Sequence, residues 1–163
     1  MSPTNEAEEA VTGDGWLTAV RAQYGPVKGL VYTAFGALVL GILMGPLQAL
    51  DKVNVDLYPF LRPVINTYYQ GLTLHGVMLV LVWTTFFIAG LLSYVTMHDL
   101  QRPLRSPVLS RVTLGVMWAG LALVLYTVLT NKATVLFTAY APLMADPLYY
   151  VGLALLLVIG TWL

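Results

Sequence analysis

The chain contains no cysteine, which excludes disulfides, thiolate metal centres and cysteine-bound iron–sulfur clusters within it. Charge is nearly as scarce. Asp, Glu, Lys and Arg make up only 10% of the residues, against roughly 25% in ordinary soluble domains. Eight basic and eight acidic side chains cancel, so there is no electrostatic footprint for nucleic acid. Every Asp and Glu lies outside the long apolar runs, and these residues therefore hold no relay of transmembrane acids. No phosphate loop, zinc-spaced pair or nucleophile triad occurs. Met1 to Lys28 is polar and acidic (Glu6, Glu8, Glu9, Asp14) and has no early apolar core of the kind a cleavable signal needs.

What remains is apolar. Hydrophobic residues make up 58% of the chain and the mean hydropathy is +0.77, which defines an integral membrane protein of all-α, polytopic helical-bundle class. A span needs roughly 20 apolar residues. The charge-free runs predict one over Gly29 to Leu50, a second within Val64 to Met97 (lipid-depth part Tyr69 to Tyr94), and a third over Val112 to Thr130. A fourth begins near Leu148 and is still apolar at Leu163 without a polar anchor, so the chain is expected to be the N-terminal piece of a longer protein, cut within helix 4. Residues 1–28 are expected to be a cytoplasmic acidic tail, mobile to about Gly15, followed by a short interfacial helix over Trp16 to Lys28. Residues 29–163 form the transmembrane part. Pro46 is expected to kink or end the first span. Arg21, Lys28, Arg102, Arg105 and Arg111 fall on one side and Lys52, Arg62 and Lys132 on the other, which favours a cytoplasmic N-terminus.

Inside the second span sits His75, in Tyr68-Tyr69-Gln70-Gly71-Leu72-Thr73-Leu74-His75-Gly76. Lipid offers an imidazole no partner, so an intramembrane histidine is a functional-site hypothesis by default. Two readings are open: a histidine hydrogen-bonded to a neighbouring helix, and an axial ligand of haem iron. Gly71, one turn back on the same face, and Gly76 make room for a flat macrocycle, and Gln70 and Thr73 can offer supporting hydrogen bonds. His98 lies 23 residues on, about 34 Å along a helix, too far to ligate the same iron. Gly41 and Gly45 form a G-x-x-x-G, which reads as close helix packing or as a smooth face against the haem, with Gln48 in reach of a ring substituent. Trp83, Trp118 and Trp162 read as packing or lipid-facing residues, and Asp51 and Asp56 as solvated.

Three ordered blocks carry a family resemblance: Gly45-Pro46-Leu47-Gln48-Ala49-Leu50 with Asn54-Val55-Asp56 and Tyr58-Pro59; Tyr68 to Gly76; and Asn131 to Leu143. Through them the chain resembles subunit I of the haem–copper oxidases, specifically the B-family (ba-type) cytochrome c oxidases. The resemblance implies a bundle of twelve or more helices in a prokaryotic cell membrane. It implies His75 as axial ligand of a low-spin haem (haem b), with Gly41, Gly45, Gln48, Tyr68, Gly71 and Leu72 packing against it. It also implies a high-spin haem and copper whose ligands lie downstream, and subunit II with further small subunits as partners. Cytochrome c or a similar donor would supply electrons, and oxygen would be reduced to water with proton translocation. The 163 residues alone are then expected to be inactive. Tyr140-Ala141-Pro142-Leu143 departs from the Tyr-Pro-Pro-Leu common in relatives. A nitric-oxide reductase large subunit resembles the same architecture, and a non-redox transporter or scaffold fragment is the alternative of a different class.

Overall fold

A computed structural model describes residues 3–62, 64–100, 103–104, 106–139 and 141–160, with side chains from Val20 onward except Ala22. Among these residues six helices follow in order: α1 (Pro3–Lys52), α2 (Tyr58–Leu61), α3 (Tyr68–Gly76), α4 (Thr84–Asp99), α5 (Pro107–Leu129) and α6 (Pro147–Gly160). A π-helical stretch, Val77–Trp83, joins α3 to α4 without a break. Gln23–Lys52, Tyr68–Asp99 and Pro107–Leu129 are each long and apolar enough to cross a membrane, and α6 is a shorter apolar helix. This is a polytopic helical membrane protein, as the charge-free runs indicate.

Two expectations, an N-terminal tail and a kink or end at Pro46, meet α1 here. The acidic tail and separate interfacial helix before Lys28 are one continuous backbone helix with the first span, because elongating a helix from an established turn adds one hydrogen bond per residue fixed. Pro46 does not end that helix, and neither does Pro26. α1 stops at Lys52 through local backbone chemistry instead. Val55 N–H donates to Leu50 O (2.9 Å) and Asn54 N–H to Asp51 O (3.1 Å), with Asn54 at φ 63°. This is a left-handed asparagine cap closing the last turn. The same device ends α5, where Lys132 N–H reaches Thr127 O (2.8 Å) and Asn131 has φ 56°.

Leu30 and Ala34 of α1 meet Val77, Met78, Val82 and Phe86 of the second span in a continuous core with Met117, Val124 and Val128 of α5 and Leu156 of α6. α5 and α6 approach backbone to backbone. A Cβ on Gly120 would lie 2.7 Å from Gly152 O, and one on Gly152 2.8 Å from Gly120 O. At the end of the bundle carrying Arg21 and Lys28, the Gln23 side chain donates to Leu104 O (2.9 Å) and accepts from Leu104 N–H (2.7 Å). That clasp puts the start of the first span beside the α4–α5 turn, which agrees with the grouping of charged flanks in the sequence. Trp118 Nε1 donates to Thr33 Oγ1 at 2.9 Å, tying α5 to α1. Arg102, Arg105, Tyr140 and Trp162 lie outside the described residues.

Candidate functional site

The segment bearing His75 is set in place at its start. Thr67 caps α3, its hydroxyl accepting from Gln70 N–H (3.2 Å), while Gln70 Oε1 accepts from Asn66 N–H (2.7 Å). This is a variant of the reciprocal box that favours Thr followed three residues later by Gln. The Gln70 amide is fully buried and donates onward to Val64 O (3.1 Å), Val128 O (2.8 Å) and Leu129 O (3.2 Å). It adds a donor to carbonyls at the end of α5, where Val128 O also accepts from Asn131 N–H at 3.0 Å. Gln70 thus holds helix ends together rather than supporting His75. Thr73 is also committed elsewhere, since its hydroxyl donates to Tyr69 O (2.7 Å) and accepts from Leu136 N–H (3.0 Å).

The group that orients His75 is on α1. His75 Nδ1 lies 2.7 Å from the carbonyl oxygen of Gly41. A carbonyl only accepts, so Nδ1 carries a proton, and in the neutral ring Nε2 keeps its lone pair. The ring is half-buried. Gly45 makes the approach possible, because a Cβ there would stand 3.2 Å from His75 Cε1, and a Cβ at Gly41 would stand 2.6 Å from Leu79 Cδ2. The G-x-x-x-G notch of α1 is therefore occupied by Leu79 and the imidazole itself.

One turn toward the α1–α3 connection, Gly71 faces Tyr58 and Gln48. A Cβ on Gly71 would meet Tyr58 Oη at 2.9 Å and Gln48 Nε2 at 3.4 Å. Both polar atoms are buried and find no hydrogen-bond partner among the described residues. Sequence alone does not single out Tyr58, although it lies in the first matched block. Asp56 Oδ1 accepts from its N–H at 2.8 Å and starts α2. Burial raises the Tyr58 hydroxyl pKa above the usual tyrosine value, with Asp51, Tyr68 and Asp56 adding smaller pushes in the same direction. Tyr68 is half-buried, lies under the Lys52 ammonium at 4.8 Å and meets Tyr69 edge-on at 5.6 Å. Leu72 is half-buried. Gly76 opens not onto free space but onto Phe137, whose Cδ1 would be 2.6 Å from a Cβ there.

His98 sits at the far end of α4, exposed, 2.9 Å from Asp99 Oδ1 and stacked on Tyr94. Trp83 is a packing residue, stacked on Phe87 at 5.7 Å, with its indole N–H buried and unpartnered among the described residues. A cavity of about 580 Å³ is lined by Thr84, Thr85, Ser93, Thr96, Leu104 and Gly160 and does not include His75. No group of three or more His, Cys, Asp or Glu side chains able to hold a metal ion occurs among the described residues.

Fold and site together define a helical membrane protein that presents one oriented imidazole from its second span. Residues 26–163 match the family described as Cytochrome C and Quinol oxidase polypeptide I. The chain belongs to that family. It is 36% identical over 159 residues to cytochrome c oxidase subunit 1 of Thermus thermophilus, covering 90% of this chain and 27% of that protein. It also superimposes, with a TM-score of 0.75 and 33% identity, on a chain of a haem–copper terminal oxidase dimer solved by cryo-electron microscopy, covering 86% of this chain and 23% of that one. The chain thus spans about a quarter of the length of these relatives. Both are oxidases, which supports the oxidase reading over the nitric-oxide reductase and over a non-redox scaffold.

Proposed function

We propose that His75 is an axial ligand of a low-spin haem, of haem b type, in the first subunit of a terminal respiratory oxidase. One observation carries the reading: Nδ1 donates to Gly41 O at 2.7 Å, which leaves Nε2 as the free donor nitrogen. Histidine ligands of metals commonly donate their other ring N–H to a carbonyl, which fixes the tautomer and raises ligand basicity. The imidazole therefore fits ligation of a haem iron through Nε2. When bound, the haem supplies one-electron storage at its iron. The protein's part is orientation. Gly45 admits the imidazole, Gly41 O holds it, and the apolar wall of Leu74, Val77 and Met78 excludes water around the segment. Gln48 Nε2 and the Tyr58 hydroxyl, unpartnered among the described residues, are donors available to a polar substituent at the ring edge after a small side-chain shift. Tyr68 and Leu72 complete the half-buried margin.

In the complete protein this haem would pass electrons from cytochrome c or a similar donor, through subunit II, to a high-spin haem and copper. Oxygen would there be reduced to water with proton translocation. The proposed setting is a prokaryotic plasma membrane with the N-terminus cytoplasmic and further small subunits alongside. The ba-type branch is the one that the three blocks resemble. Full-length protein in membranes is expected to show cyanide-sensitive oxygen uptake with reduced cytochrome c, and copper alongside haem iron on metal analysis. Extra non-haem iron in place of copper would overturn the oxidase reading.

A further inference from the structure

The helix carrying His75 is held from two sides. Positions 71, 75 and 79 face α1, where they meet Gln48, Gly45 and Gly41. Positions 70, 73 and 76 face the other way, toward the end of α5 and the loop after it. There Gln70 bonds Val128 O, Thr73 accepts from Leu136 N–H, and Gly76 lies under Phe137.

That loop is built to hold its shape. An antiparallel bridge joins Ala133 to Ala145, and Ala133 and Val135 are completely buried. Leu136 has φ 63°, a left-handed conformation that an L side chain rarely adopts and that persists only where its surroundings over-determine it. Both of its backbone groups are used. The N–H goes to Thr73 Oγ1 at 3.0 Å, and the carbonyl accepts from Tyr149 Oη of α6 at 3.2 Å. The next residue places its ring in the Gly76 notch, one position beyond His75.

We propose that the α5–α6 loop is a strap that presses α3 onto α1 and so keeps the His75 imidazole on the Gly41 carbonyl, with Thr73, Leu136 and Phe137 as positioning residues for the iron ligand. The inference rests on the haem reading above. If the strap loosens, the Nδ1–H···O bond lengthens, and the imidazole becomes a weaker donor to iron. A weaker donor stabilises ferric iron less, so the reduction potential rises.

The test uses full-length protein carrying Thr73→Val, which keeps the shape and removes the acceptor for Leu136 N–H, beside Thr73→Ser, which keeps the acceptor. Thr73→Val is expected to raise the haem reduction equilibrium severalfold, up to about tenfold, or 59 mV for a one-electron couple. It should also speed amide exchange across residues 70–79. Thr73→Ser should match the unaltered protein in both. Phe137→Ala, which leaves the backbone alone, should move both readouts in the same direction and serves where Thr73→Val fails to assemble. Unchanged potential and exchange in Thr73→Val and Phe137→Ala would overturn the strap, as would a Thr73→Ser shift equal to that of Thr73→Val. Absence of a low-spin haem signal from the unaltered protein would remove the haem reading instead, and the exchange data would then decide the strap alone.

Discussion

His75 Nδ1 and the carbonyl of Gly41 meet at 2.7 Å across the contact between α3 and α1. The two residues are 34 positions apart, yet they fix one tautomer and one ring direction. A helix-interior carbonyl keeps a second lone pair after its own helical bond, so the contact does not require α1 to unwind.

Gly45→Ala tests the room for that contact. Its Cβ would stand 3.2 Å from His75 Cε1, a tight contact, and 3.7 Å from Nδ1, an ordinary one, so the ring must shift by a few tenths of an ångström against the Gly41 bond that holds it. Overpacking of this kind costs about 1–3 kcal/mol. The expected result is a full-length protein with reduced haem content per subunit and an altered low-spin absorption band. Unchanged haem content and spectrum would show that the ring has freedom this geometry denies it.

Gln70→Ala removes the two N–H groups that Val64 O, Val128 O and Leu129 O share in one step. Val128 O keeps Asn131 N–H, and a buried polar group that does lose its partner costs roughly 1–3 kcal/mol. The variant should unfold at clearly lower denaturant in detergent, by about 2–3 kcal/mol, and lose folded yield before it loses any spectral feature of the remaining protein. Stability within about 1 kcal/mol of the original would contradict the capping role.

How much of this was legible in the sequence depends on the physics behind each feature. The three spans and their flanks were, because a charge-free apolar run of roughly twenty residues matches the thickness of a bilayer's hydrocarbon core. His75 was as well, since an imidazole in an apolar run stands alone. The partner of His75 was not, because a carbonyl 34 positions away has no signature in residue type. Gly71 and Gly76 read as clearance for a macrocycle, and in the structure Tyr58 and Phe137 stand against them. A missing side chain announces space but not its occupant. The Thr67–Gln70 cap follows a spacing rule and was readable in principle. The π-helical stretch after Gly76 is set by tertiary packing and was not.

In haem-free protein, Tyr58→Phe removes a hydroxyl that is buried and unpartnered among the described residues, so it should cost nothing or stabilise slightly at neutral pH. The folded pKa of Tyr58 is raised, chiefly by burial. A raised pKa contributes stability below the unfolded value of about 10, and the contribution is lost as pH climbs through the folded value. The original protein should therefore lose stability at strongly alkaline pH more steeply than Tyr58→Phe. Parallel alkaline unfolding curves, followed by circular dichroism, would contradict this.

Gly152→Ala places a methyl 2.8 Å from Gly120 O and 2.9 Å from Val124 Cγ2, and backbone cannot yield as a flexible side chain does. α6 should separate from α5 at a cost of about 1–3 kcal/mol. Crosslinking between cysteines placed on the two helices should then fall. Undiminished crosslinking would show that the helices do not pack on these glycines.

Ligand replacement at His75 addresses the central claim most directly. Full-length His75→Gly, in membranes, should lack the low-spin haem band in its reduced-minus-oxidised spectrum, and added imidazole should restore it by entering the space on Gly45 and donating to Gly41 O. A low-spin band that persists in His75→Gly without imidazole would show that the iron is held elsewhere and that His75 only packs between helices.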